Sequence, residues 1–171
     1  MYYAGIGSRE TPKEILELFE RIAVYLAQNG YVLRSGGADG ADKAFEVGCD
    51  KGKGQKEIYL PWPKFNHSSS HLVVSDTLAF DLAKKYHPAY DKLSDAAKKL
   101  QARNTHQILG WDLKSPSYLV ICWTPHGKAI GGTAQALRIA KDYNIPIFNA
   151  GAYTNIIQFK KDLLHYLNNI K

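Results

Sequence analysis

Apolar residues along this chain fall into short blocks of strand length that alternate with longer stretches of helical spacing. The first block, Tyr2 to Ile6, runs straight into Gly5-Ile6-Gly7-Ser8. Thr11-Pro12-Lys13-Glu14 then predicts a helix start, with threonine at the cap, proline at the first helical position and glutamate three residues after the cap. Ile15, Phe19, Ile22 and Leu26 recur at helical spacing until Asn29-Gly30 stops the run. The order repeats: Tyr31 to Arg34 predicts a strand, Ser35 to Gly40 a glycine turn, and Ala41 onward a helix ending near Gly52 or Gly54.

Glu57 to Leu60 predicts a third strand, and Pro61 to Ser75, with its prolines and serines, a long connection. Two helical segments follow, broken near His87-Pro88, the second from Ser94 to Leu109. Ser117 to Trp123 is a continuous apolar run, as expected of a strand covered on both faces. Thr124 to Gly132 reads as a loop, Thr133 to Asp142 as a helix, Ile145 to Asn149 as a strand, and Ile156, Phe159, Leu163, Leu167 and Ile170 as one stripe of a last helix. Such alternation implies right-handed crossovers. The expected fold is α/β, a Rossmann-like three-layer sandwich with a mainly parallel sheet flanked by helices. Neither a repeat nor a linker interrupts it, so residues 1–171 read as one domain.

Composition adds limits. With 45% hydrophobic and 22% charged residues, the chain needs neither a disorder nor a fibre explanation. Cys49 and Cys122 lie in a helix and an apolar strand, which predicts buried thiols rather than a disulfide. The start lacks the pattern of a signal peptide and no apolar run reaches membrane-spanning length, so the expectation is a cytoplasmic protein with no membrane partner, in a host cell if the chain is viral. A formal charge of +6 favours an anionic partner, although the lysines are scattered in pairs such as Lys84/Lys85 and Lys160/Lys161.

Three glycine-bearing segments follow strands: Gly5 to Arg9, Ser35 to Gly40, and Gly131-Gly132-Thr133. In a parallel sheet these turns gather at the carboxyl ends of the strands, where their amides and the next helix N-terminus suit a phosphate. The expected phosphate-binding set is Gly7, Ser8, Arg9, Ser35, Gly36, Gly37, Ala38, Asp39, Gly40, Arg103, Asn104, Gly131, Gly132 and Thr133. Arg9 and Arg103 supply the fork for phosphate oxygens, and Ser8, Ser35 and Thr133 the hydroxyls. Trp62 and Trp123 are candidates to stack on a base. The first turn lacks the third glycine of GxGxxG and the second lacks the Lys-Ser/Thr pair of a P-loop, so neither a conventional dinucleotide dehydrogenase nor a P-loop ATPase is expected. Asp39 and Asp42 stand where a carboxylate caps the second helix or touches a ribose hydroxyl. His67 and His71 have helical spacing, but serines separate them and no third ligand follows, so no metal is expected.

YAGIGSRETP at the start, LRSGGADGADKAFEVG from Leu33 to Gly48, ARNTHQIL from Ala102 to Leu109 and GGTAQALRIA from Gly131 to Ala140 together resemble the SLOG superfamily. That superfamily joins the DNA-processing protein A (Smf) recombination mediators with the Lonely Guy cytokinin-activating enzymes. SGGADGAD and Arg103-Asn104 are similar to the mediator branch. The resemblance implies a Rossmann-type domain and, on that branch, single-stranded DNA binding, for which a basic, aromatic-rich chain has the ingredients. In the Lonely Guy enzymes the last turn reads PGGxGTxxE. Here Gly132-Thr133 is followed by Ala134-Gln135-Ala136, and glutamine cannot do the acid/base work of ribose-to-base cleavage.

The leading expectation is therefore a non-catalytic protein that senses, carries or sequesters a nucleotide-like small molecule, with no catalytic residue and no cofactor. Single-stranded DNA is the alternative partner, and a nucleoside 5′-monophosphate phosphoribohydrolase the second alternative. A homo-oligomer, most simply a dimer, is expected.

Overall fold

The computed structural model describes residues 1–170. Its strands are β1 (Tyr2–Gly5), β2 (Val32–Ser35), β3 (Lys56–Leu60), β4 (Leu72–Val73), β5 (Leu119–Cys122) and β6 (Ile147–Asn149). Its α-helices are α1 (Lys13–Gln28), α2 (Ala41–Lys51), α3 (Thr77–Tyr86), α4 (Asp95–Leu109), α5 (Ala134–Asp142) and α6 (Ile156–Asn169). All the strands pair in parallel, in the order β4-β3-β2-β1-β5-β6.

Strict alternation along the strands builds two cores. Tyr3, Leu33, Ile58, Leu60, Leu119 and Ile121 face α1, α2 and α6, which contribute Phe19, Phe45 and Phe159. Ala4, Val120 and Cys122 face the other way, toward Ala79 and Ala83 of α3, Ala102 and Ile108 of α4 and Ile139 of α5. A strand covered on both faces needs apolar side chains at every position, and Leu119–Cys122 is buried throughout. The three-layer α/β sandwich expected from the sequence is the observed fold. Both cysteines are buried and unpaired.

From β1 the chain winds outward through β2 and β3 to β4, then crosses back through α3 and α4 to enter β5 on the far side of β1. This reversal between β1 and β5 opens a crevice at their carboxyl ends, the position at which ligands of open α/β sheets bind.

Two local expectations need correction. Thr11 does not cap α1: Pro12 occupies the cap position, and the Thr11 hydroxyl donates back to the Ser8 carbonyl at 2.6 Å. The residue after the β1 turn thus closes that turn instead of starting the helix. The connection from Pro61 to Ser75 also contains β4, which pairs with Tyr59 and Leu60 at the sheet edge. A strand of two residues is shorter than any alternation pattern can register. Ser70 fixes its entry, donating to the Ile58 carbonyl at 2.5 Å and accepting from the Leu72 amide at 3.2 Å.

Candidate functional site

The three glycine turns meet. The Ser8 amide donates to the Trp123 carbonyl at 3.1 Å, joining the β1 turn to the end of β5. Gly40, at φ 82°, packs so closely on the β1 turn that a Cβ there would stand 2.7 Å from Arg9 Cα and 2.8 Å from the Ser8 oxygen. Only glycine admits both that backbone and that approach. Around the junction lies a half-open cavity of about 380 Å³ lined by residues of the β1 turn, the β2 turn, the start of α2, α4 and the turns between β5 and α5.

Arg103 and Asn104 hold this junction together. Arg103 is 5% exposed; one guanidinium nitrogen donates to the Gly36 carbonyl and, at 3.4 Å, to that of Tyr59. Its Nε donates to Asn104 Oδ1 at 3.0 Å, and Asn104 Nδ2 donates to the Gly132 carbonyl at 2.8 Å. The pair is a clasp from the second glycine turn to the third. A Cβ at Gly36 would collide with Gln107 and stand 2.5 Å from Arg103 Nη1, so glycine lets the guanidinium lie against the turn. Burial lowers the pKa of this guanidinium, the charge of Asp42 opposes the shift and that of Arg9 adds to it.

Asp42 is the other charged residue in the floor, 3% exposed. Its carboxylate accepts from the Ala38 amide at 3.3 Å, and the amides of Gly36 and Gly7 also lie against it. Burial pushes its carboxyl up to about 6, against the lowering effects of Arg103 and these amides. The expectation that all three turns offer bare amides to a ligand is thereby corrected. In the first two turns, Gly7, Gly36 and Ala38 already face a carboxylate, and Ser8 faces a carbonyl. In the third turn neither glycine amide is engaged: among the described residues no protein acceptor takes the N–H of Gly131 or Gly132. Nothing lies within 4 Å of where a Cβ would stand on either glycine.

The other expected residues divide. Gly7, Ser8, Arg9, Ala38, Arg103, Asn104, Gly131, Gly132 and Thr133 line the cavity. Arg9 is exposed and has no ion pair among the described residues. Ser35 is spent elsewhere, its buried hydroxyl donating to the Gly5 carbonyl at 2.6 Å across the sheet. Gly37 and Asp39 face a separate cavity of about 360 Å³ with Lys43 and Ser68. Gly40 packs on the β1 turn instead of facing either space. Neither tryptophan lines the main cavity: Trp62 packs edge-on against Phe65 at 5.3 Å, and Trp123 lines a groove with Pro12, Ile15 and Tyr153. Their side chains follow the layer that covers α1 and α2, whereas the crevice lies beside α4 and α5.

What the cavity has in place of aromatic faces is Ile6, Leu100, Pro125 and Ile130, with the amide side chains of Gln101 and Gln107. These were missed, although Leu100, Arg103, Asn104 and Gln107 share one helical face by spacing alone. His67 sits in a 3-10 turn and His71 just before β4, and no group of three or more metal-ligating side chains occurs among the described residues. No described helix is long and apolar enough to cross a membrane.

No family model matches the chain, and no curated protein matches it. A solved structure that does match is DNA processing protein A from Helicobacter pylori, described by its single-stranded DNA binding mode, at TM-score 0.58 and 22% identity. The chain has a DNA processing protein A-like fold. The likeness covers 87% of this chain and 64% of that one, so this chain matches under two thirds of its neighbour's length.

Proposed function

We propose that this chain binds a nucleotide by its phosphate in the cavity at the β1/β5 crevice and holds it without turnover, as a sensor, carrier or sequestering protein. One observation carries the reading: the unengaged amides of Gly131 and Gly132 and the unpaired Arg9 line one cavity, whose wall is otherwise mostly aliphatic and amide, with the carboxylates of Glu10 at its rim and Asp42 in its floor. Main-chain N–H groups and a guanidinium suit phosphate oxygens, and a volume of about 380 Å³ suits a small ligand. Holding without turnover is supported by Ala136 and Gln135. In the Lonely Guy pattern the glutamate falls at Ala136, which has no acid/base group, and the neighbouring Gln135 is fully buried and donates to the carbonyls of Ala83 and Gln101 at 3.4 Å.

Thermal unfolding against a panel of nucleoside 5′-monophosphates tests this. At least one should raise the midpoint, and Arg9→Ala should weaken its affinity about tenfold or more, the worth of a charge-assisted hydrogen bond. The Arg9→Ala protein should itself unfold within about 0.5 kcal/mol of wild type, since the residue is exposed. Release of free base on incubation would replace this reading with the hydrolase.

The second reading is that the bound nucleotide is one unit of single-stranded DNA. It is favoured by the neighbour of known binding mode and by the formal charge of +6. Salt separates the two: oligonucleotide affinity should fall steeply as salt rises if several phosphates are engaged, and a mononucleotide's affinity should fall only gently.

A further inference from the structure

The β1 turn of a doubly wound sheet is the ordinary seat of a pyrophosphate, because its amides and the helix behind it converge on one point. In this chain that seat is taken. The Asp42 carboxylate, 3% exposed, accepts from the Ala38 amide at 3.3 Å with the Gly36 and Gly7 amides against it. The countercharge is Arg103, and the Ser8 amide is bound to Trp123. The Gly7, Gly36 and Ala38 donors that a second phosphoryl group would use there are therefore taken by a side chain of the protein itself, and the Ser8 donor by its main chain. Asp42 belongs to the first turn of α2, so it also takes the place an anion would occupy at that helix start.

We infer that Asp42 is a resident anion that limits the cavity to ligands with a single phosphoryl group: nucleoside monophosphates, or one phosphodiester unit, and not nucleoside diphosphates or dinucleotides. The single phosphoryl group sits at Gly131 and Gly132 beside Arg9. A second one, linked to the first and directed at the β1 turn, would meet a fixed carboxylate in place of donors, and like charges close together in a partly buried site repel. Asp42 is thus a specificity-determining residue that acts by exclusion, as selective sites commonly do. The inference rests on the nucleotide reading above.

Calorimetric titration of the whole chain with orthophosphate, pyrophosphate, and the nucleoside 5′-monophosphates beside their diphosphates tests it. Wild type should bind pyrophosphate no more tightly than orthophosphate, and each diphosphate no more tightly than its monophosphate. Asp42→Ser, which vacates the amides, should gain about tenfold or more for pyrophosphate, as one added charge-assisted contact would give. Asp42→Asn keeps the shape and removes the charge, so it should shift the ratio in the same direction by less, and it serves if the serine variant does not fold. Folded variants with an unchanged pyrophosphate-to-orthophosphate ratio would overturn the inference, as would a wild type that prefers diphosphates. If wild type binds no nucleotide and no phosphate, the nucleotide reading fails. Pyrophosphate binding gained in Asp42→Ser would then still support the resident anion, and no gain would remove it too.

Discussion

Arg34 and Arg103 are both buried, in and beside the same sheet, yet they are held in different ways. Arg34 reaches toward the amino ends of β1 and β5. Its Nε pairs with Glu57 at 3.2 Å, its Nη1 donates to the Ser115 carbonyl at 2.5 Å and to Ser117 at 3.2 Å, and its plane lies 3.9 Å over the Tyr2 ring. Tyr59 donates to the same carboxylate. Arg103, at the carboxyl ends, bonds two carbonyls and one amide side chain, and the acid it balances is itself engaged by main-chain amides. The first arrangement closes on itself and ties the strand entrances together. The second shapes a cavity whose outer rim, at Arg9, Gly131 and Gly132, is left unengaged. A buried arginine is therefore no sign of a binding site in itself; what distinguishes the two is whether the neighbouring donors are satisfied.

Breaking the first arrangement should have the larger effect on stability. Arg34→Met leaves Glu57, Ser115 and Ser117 without their partner, and unfolding free energy should fall by about 3 kcal/mol, the usual scale for a broken buried pair. Urea titration measures it, and the stabilisation given by a bound nucleotide should be unchanged. A lost nucleotide response would show that the two ends of the sheet are coupled. Arg103→Ala comes next, at about 2 kcal/mol for the stranded carbonyls. Here the nucleotide response should go too, because the clasp between the second and third turns is cut. A full response in a folded Arg103→Ala protein would make the clasp structural only.

The last test is the pH dependence of Asp42. Its carboxyl is raised by burial from 3.8 to about 6 in the folded chain, with Arg103 from α4 and the amides of Gly7, Gly36 and Ala38 acting the other way. Between those values the folded chain keeps a proton that the unfolded chain has lost. The contribution of this group to stability therefore falls as pH rises from about 4 to about 6 and stays low above. The difference in urea midpoint between Asp42→Asn and wild type should grow in favour of the variant over that range. A difference that stays flat or shrinks would mean that the amides and Arg103 outweigh burial.

Much of this was legible in the chain. Alternating short strands and amphipathic helices gave the layers, and glycines after strands marked the rim, since both are local patterns. What escaped depended on approach in space. Ser35 reads as a hydroxyl beside a phosphate turn, but its neighbour across the sheet is the Gly5 carbonyl. Trp62 and Trp123 read as strand-end aromatics, and only the assembled layers decide which side they cover. Asp42 reads as a favourable charge at a helix start; that burial outweighs this and that it meets Gly7, far back in the sequence, follow from the tight seating of the β2 turn on the β1 turn. Leu72 and Val73 form a strand only because β3 offers a free edge.

That last pairing bears on how the sheet ends at its margins. The strands richest in apolar residues are enclosed, while the two margins are β4, with only Leu72 and Val73, and β6, which spans Ile147–Asn149 and follows Pro146. Each margin is too brief to template a long ladder with another chain, and proline removes a donor beside one of them. Brevity at the borders thus guards a parallel sheet against pairing edge to edge with another chain.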